Sequence, residues 1–168
     1  LIDPGYPNEI HVADLLGGVR ANHVLYDSLR KKIYVSSNLG IKQITYDTMQ
    51  DFTFNGQTIF AQNMYLQGNK IFMHLHNGKL LVYDAVSTQF DSSNFHFQTP
   101  FSLVKMNDSI LFLANNKQVY RVNLWDPLQV AMPIAFPFTE NDVEDIAYVN
   151  QHYWIFGDRH NFKVKDTI

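Results

Sequence analysis

What most constrains the fold of this sequence is a pattern stated four times. An apolar core recurs at Ile33-Tyr34-Val35, Ile71-Phe72-Met73, Ile110-Leu111-Phe112 and Tyr153-Trp154-Ile155, at spacings of 38, 39 and 43 residues. Before each core stands another short alternating segment: NHVLYD, NMYLQG, SLVKMN and DIAYVN. After each comes a tight-turn signal: NLG at Asn38–Gly40, HNG at His76–Gly78, NNK at Asn115–Lys117 and DRHN at Asp158–Asn161. Asn and Gly tolerate positive φ, so these read as hairpin turns. A third strand follows each turn: IKQITYD, KLLVYD, QVYRVN and NFKVKD. Weaker fourth strands are expected in QTIFA, NFHFQ and MPIAF.

Helical periodicity is poor throughout. The longest helix candidate, HVADLLGGVRA, is broken by Gly17 and Gly18. Three or four antiparallel strands repeating every forty residues or so describe the blade of a β-propeller. The expected fold is therefore all-β, a propeller of four blades if complete. The blades are expected at about 21–62, 63–100, 101–142 and 143–168. Residues 9–15 (EIHVADL) would supply a closing strand to the last blade. The alternative is a fragment of a larger propeller, which would also begin and end within a blade. Both readings stand on the sequence.

Composition narrows the partners. With 13 Lys and Arg against 16 Asp and Glu, the chain has a formal charge of −3 and no basic block. That argues against nucleic acid or an anionic membrane as the main partner. Zero cysteines exclude disulfides and thiolate metal sites. No apolar run approaches the ~18–20 residues needed to span a bilayer as a helix. Neither a phosphate loop, a dinucleotide fingerprint nor an HExxH motif occurs.

The segment LYDSLRKKIYVSSNLGIKQITYDTMQ resembles the repeats of insect secreted propellers of the ommochrome-binding and yellow types. It is also similar to the repeats of bacterial two-component sensor propellers. Tyr46-Asp47-Thr48 and Tyr83-Asp84-Ala85 carry the shared strand-end feature, which Val122-Asn123 replaces in the third unit. The last unit, AYVNQHYWIFGDRHNFKVKD, resembles a hemopexin repeat through its aromatic strand and Phe156-Gly157-Asp158-Arg159 turn. These resemblances imply a propeller that binds something, in a secreted or periplasmic setting.

Propellers usually bind at the mouth formed by the loops entering the first strand and those joining the second strand to the third. The first loop class here holds Arg20, Asn22, Gln62, Asn63, Phe101, Glu144 and Asp145. The expected ligand contacts are Asn38, Asn63, His76, Asn115, Arg159 and His160. A small, uncharged or aromatic molecule suits such a polar mouth. Another protein is the alternative partner, as are additional propeller segments or subunits. His74 and His76 share one strand face, and with a third ligand the pair could hold zinc or copper; packing between blades for one and turn-capping for the other explain them more simply. Glu144 and Asp145, beside Asp142, are the candidate calcium ligands, and a metal-dependent lactonase-like hydrolase is the catalytic alternative. A solvated acidic turn explains them more simply. Trp154 is expected in the core between blades, and Trp125 half-buried at a blade edge.

Overall fold

The computed structural model describes residues 19–91, 101–107, 109–115, 118–125, 131–135 and 143–166. These residues contain strands and no helix. The expected closing strand at 9–15 lies outside them, as do the segment NFHFQ and Asp142.

Among the described residues, sixteen strands form four antiparallel sheets. The first sheet runs β1 (Ala21–Asp27), β2 (Lys32–Ser37), β3 (Gly40–Ile44), β4 (Met49–Phe54) and β5 (Gln57–Thr58), in that spatial order. The second runs β6 (Ala61–Gln67), β7 (Lys70–Leu75), β8 (Leu80–Asp84) and β9 (Gln89–Asp91). The third holds β10 (Leu103–Asn107), β11 (Ile110–Asn115), β12 (Gln118–Asn123) and β13 (Ala131–Ile134). The fourth holds β14 (Val143–Val149), β15 (His152–Gly157) and β16 (Asn161–Lys165). Strands thus neighbour each other in chain order, because each tight turn returns the chain at once.

The fourth strand of the first sheet departs from expectation. It is β4 at Met49–Phe54, not the QTIFA segment. The reason is the turn before it. Thr45 N–H donates to Thr48 O at 2.8 Å, and the two threonine hydroxyls meet at 2.6 Å. That closure sends the chain straight back, and Phe52 of β4 becomes part of the core.

The sheets share one register. Reading the pairings across, Tyr34, Phe72, Phe112 and Trp154 occupy the same position of the second strand. Ser36, His74, Ala114 and Phe156 stand two residues on, on the same face. We call this the back face. The front face carries Ile33 and Val35, Ile71 and Met73, Leu111 and Leu113, and Tyr153 and Ile155.

The chain divides into two compact units, the first built on sheets one and two, the second on sheets three and four with residues 77–81. Inside the first unit, β1 and β6 lie side by side. Aromatic rings join its two sheets: Tyr34 meets Phe52 at 5.3 Å, Phe52 meets Tyr83 at 4.8 Å, and Tyr83 meets Phe90 at 5.0 Å. Most are edge or tilted contacts, the geometry the ring quadrupole favours, each adding about 0.5–1.5 kcal/mol to plain burial.

Inside the second unit, β10 and β14 are likewise neighbours. The back of sheet three (Phe112, Ala114, Val119, Ile134) packs on the front of sheet four (Ile146, Tyr153, Ile155). Each sheet is thus apolar on both faces, unlike a half-solvated antiparallel sheet.

Candidate functional site

Register fixes one end of every sheet as the place where candidate residues gather. Ala21 pairs with Ser37, Ala61 with Leu75, and Val143 with Gly157. The start of each first strand therefore lies beside the turn between second and third strands. We term this the turn end.

A β-bulge recurs there. Register shifts fall between Ala21 and His23, between Ala61 and Asn63, and between Val143 and Asp145. The extra residues are Asn22, Gln62 and Glu144, all polar and all exposed. In sheet three the Ser102 amide donates to Ala114 O at 2.8 Å, although Ala114 is already the partner of Leu103. Bulges re-aim side chains and interrupt a ladder, and they are frequent beside functional sites. Asn22, Gln62 and Glu144 lie where loops were expected, yet they stand inside paired strands.

In the first unit the turn end brings together Asn38, Asn63 and His76. Asn38 is exposed in the β2–β3 turn, held by Ser37, whose Oγ accepts from Leu39 N–H at 3.1 Å and donates to Gly40 O at 3.0 Å. Gly40 closes that turn with φ of +104°, a conformation L side chains rarely adopt. Asn63 is half-buried opposite His74, and His76 is exposed at the end of β7. His76 N–H donates to Phe60 O at 3.0 Å, which ties its turn to the chain entering β6. His23, at the Asn63 position of sheet one, sits edge-on to Tyr65 at 6.3 Å. Burial pulls its pKa below the ordinary histidine value against a backbone hydrogen bond involving Met64, so the neutral ring is favoured.

In the second unit the turn end holds Asn115, Arg159, His160, Glu144 and Asp145. Asn115 accepts from Gln118 N–H at 3.0 Å, so it builds its own turn. Arg159 and His160 are exposed; Arg159 lies 3.7 Å from the Asp158 carboxylate, and the His160 ring lies 6.4 Å from Phe162. Asp145 accepts from Lys105 Nζ at 2.6 Å and from Ile146 N–H at 2.8 Å. A cation thus already faces the carboxylate expected to bind calcium. Among the described residues no three His, Asp or Glu side chains converge as a metal set. His74 is fully buried, and His76, just beyond the end of β7, is exposed.

The opposite end of the first unit holds a polar clamp that sequence reasoning missed. Asp27 is fully buried and caps its own turn, accepting from Leu29 and Arg30 N–H at 3.1 Å each. Arg30 donates to Asp27 at 2.8 Å and to Asn69 Oδ1 of sheet two at 2.5 Å. Burial alone would raise the Asp27 pKa, but these hydrogen bonds outweigh it and hold the carboxyl below its usual value. Nearby, the buried Tyr34 hydroxyl has no hydrogen-bond partner among the described residues, and burial, with Tyr83 and Asp27, pushes its pKa up to about 12. The Asp-x-x-Arg spacing of Asp27 and Arg30 was the available signal.

No family model and no curated protein sequence matches the chain. Solved structures do. The extracellular domain of a putative hybrid two-component system, BT4673 of B. thetaiotaomicron, aligns with a TM-score of 0.61 at 12% identity, over 86% of this chain and 22% of that one. PorZ, a bacterial surface component of the type-IX secretion system of Porphyromonas gingivalis, aligns at 0.58 and 15% identity, over 91% of this chain and 22% of that one. The computationally designed Ika4 protein aligns at 0.58 and 9% identity, over 87% of this chain and 92% of that one. These likenesses bear on fold alone. The chain spans about a fifth of the length of the BT4673 extracellular-domain and PorZ chains that it matches.

Proposed function

We propose that the four sheets are propeller blades, and that the chain is a non-catalytic binding segment of an extracellular or periplasmic sensor-type protein. Its ligand is a small, uncharged, partly aromatic molecule at the turn end. The observation that carries this reading is the repeated bulge. A purely structural sheet has no need of the same polar interruption at the same place, yet Asn22, Gln62 and Glu144 are set out there in three of four sheets. Beside them stand Asn38, Asn63, His76, Asn115, Arg159 and His160, most of them neutral hydrogen-bonding groups. The setting is supported by the likeness to extracellular sensor domains and to a surface component of a secretion system.

Calcium-dependent hydrolysis is the weaker reading, because Lys105 already neutralises Asp145.

Saturation-transfer NMR with indole-3-acetamide and a panel of neutral phenols and amides tests the binding reading. Transfer to a panel member, lost in the Gln62→Ala/Asn63→Ala and His76→Ala variants and kept in a Lys79→Ala control, is the expected result. Transfer unaffected by any turn-end substitution overturns the site.

A further inference from the structure

The dipeptide Asn-Gly occurs twice, at Asn55-Gly56 and Asn77-Gly78. It carries chemistry of its own. The main-chain nitrogen of the glycine attacks the side-chain amide carbon of the asparagine, since no Cβ on glycine shields it. The bond from that carbon to the amide nitrogen breaks, ammonia leaves, and a five-membered imide forms. Water then opens the ring at either carbonyl. One product is aspartate. The other is isoaspartate, whose main chain runs through the former side chain.

The fold treats the two dipeptides differently. Asn77 is tied down: its Oδ1 accepts from Lys79 N–H at 3.1 Å, Gly78 is buried, and Gly78 O accepts from Phe101 N–H at 2.8 Å. Asn55-Gly56 is loose by each of these measures. Both residues are exposed, and an added Cβ on Gly56 would meet nothing within 4 Å. Among the described residues nothing bonds the Asn55 side chain, and no backbone carbonyl accepts from Gly56 N–H, the attacking nitrogen. The dipeptide is the whole link between β4 and β5, with φ of +50° and +73°, the primed turn that suits Asn-Gly. The turn must open for the attack to align. Its ladder is short, Thr53 with Thr58 and Phe54 with Gln57, and both residues of β5 are exposed, so opening costs little.

We propose that Asn55 is a site of spontaneous deamidation, a one-way switch that releases the β4–β5 hairpin from the turn end of sheet one. Isoaspartate lengthens the main chain of a two-residue turn, and either product adds a negative charge to a chain of formal charge −3. The hairpin is what sets Thr58 and Ile59 against Gly40, in the turn that holds Asn38. The conversion therefore loosens the packing beneath Asn38. This inference is independent of the small-molecule reading.

The test holds the folded chain at mildly alkaline pH and follows it by isoelectric focusing and peptide mass mapping, beside the urea-unfolded chain and the Asn55→Gln and Asn77→Gln variants. A single acidic step is expected, located to the peptide that contains Asn55, which an isoaspartyl methyltransferase should then label. In the folded chain Asn55 is expected to convert about tenfold faster than Asn77, the factor that about 1.4 kcal/mol, one hydrogen bond's worth, makes in a barrier. In the unfolded chain the two should convert alike. Asn55→Gln, which would need a six-membered ring, should abolish the step, and Asn77→Gln should leave it. Hydrogen exchange at Thr58 and Ile59 should quicken in the converted chain. A folded chain in which Asn77 keeps pace with Asn55, or in which Asn55 stays intact while the unfolded chain converts, overturns the proposal. An acidic step that survives Asn55→Gln overturns it too, and unchanged exchange at Thr58 and Ile59 removes the switch.

Discussion

Arg121 of sheet three donates a hydrogen bond to the Tyr153 hydroxyl of sheet four at 2.7 Å, and the same nitrogen lies 3.2 Å from the Asp166 carboxylate. Tyr148 completes the group, donating to Asp166 at 2.9 Å. Four polar side chains thus meet at an otherwise apolar sheet-to-sheet contact, with their hydrogen bonds directed at one another.

Arg121→Met keeps much of the aliphatic stem and removes the charge. It takes the guanidinium away from the Tyr153 hydroxyl and from the largely buried Asp166 carboxylate, which keeps its hydrogen bond from Tyr148. A loss of about 2–3 kcal/mol follows, below the full cost of breaking a deeply buried pair because Arg121 retains some solvent contact. Urea unfolding measures it as a lowered midpoint. An unchanged midpoint would mean the group is idle.

Tyr34→Phe should behave in the opposite way. The buried hydroxyl has no partner among the described residues, so deleting it removes a desolvation penalty and leaves the ring contact with Phe52 intact. A gain of about 1 kcal/mol at neutral pH is expected. The pH dependence gives a second handle. The folded pKa of Tyr34, about 12, lies above its ordinary value of 10.0. Its contribution is therefore whole below pH 10 and declines as pH rises toward 12, by at most about 1.4 kcal/mol per unit. Unfolding followed from pH 9 to 12 should show a shallower loss in the Phe variant than in the parent chain.

Gly40→Ala is expected to cost about 1–2 kcal/mol, since φ there is +104° and an added Cβ would run into Thr58 Cγ2. A double-mutant cycle with Thr58→Ala separates the two causes. The second substitution should restore only the steric share, and full restoration would show that the backbone is unstrained.

The forty-residue period was legible because each second strand carries a dense apolar core and each following turn carries Asn or Gly. The tight turns that hold Asn38 and His76 in the first unit and begin at Asn115 in the second were read from the same signals. The bulges were not legible. Asn22, Gln62 and Glu144 share polarity but no residue type, and a one-residue register shift leaves no periodicity to read. Nor was β4, whose start is set by hydroxyl bonds around Asp47-Thr48. The tryptophans were misjudged for a plainer reason. Trp154 belongs to the core by its own strand's pattern, but what covers a sheet face is decided by the neighbouring sheet. Trp125, expected half-buried, is 74% exposed where β12 has ended and its ring has left the sheet face.

The central claim is that within each unit like sheets stack front on back through one repeated aromatic position, which in the fourth sheet stands open. Urea unfolding of Phe112→Ala and Trp154→Ala, at dilution where the chain is monomeric, tests it directly. The stacked arrangement predicts a loss of about 3–5 kcal/mol for Phe112→Ala and under about 1 kcal/mol for Trp154→Ala, although tryptophan is the larger ring. Equal losses, or a greater one at Trp154, would contradict it.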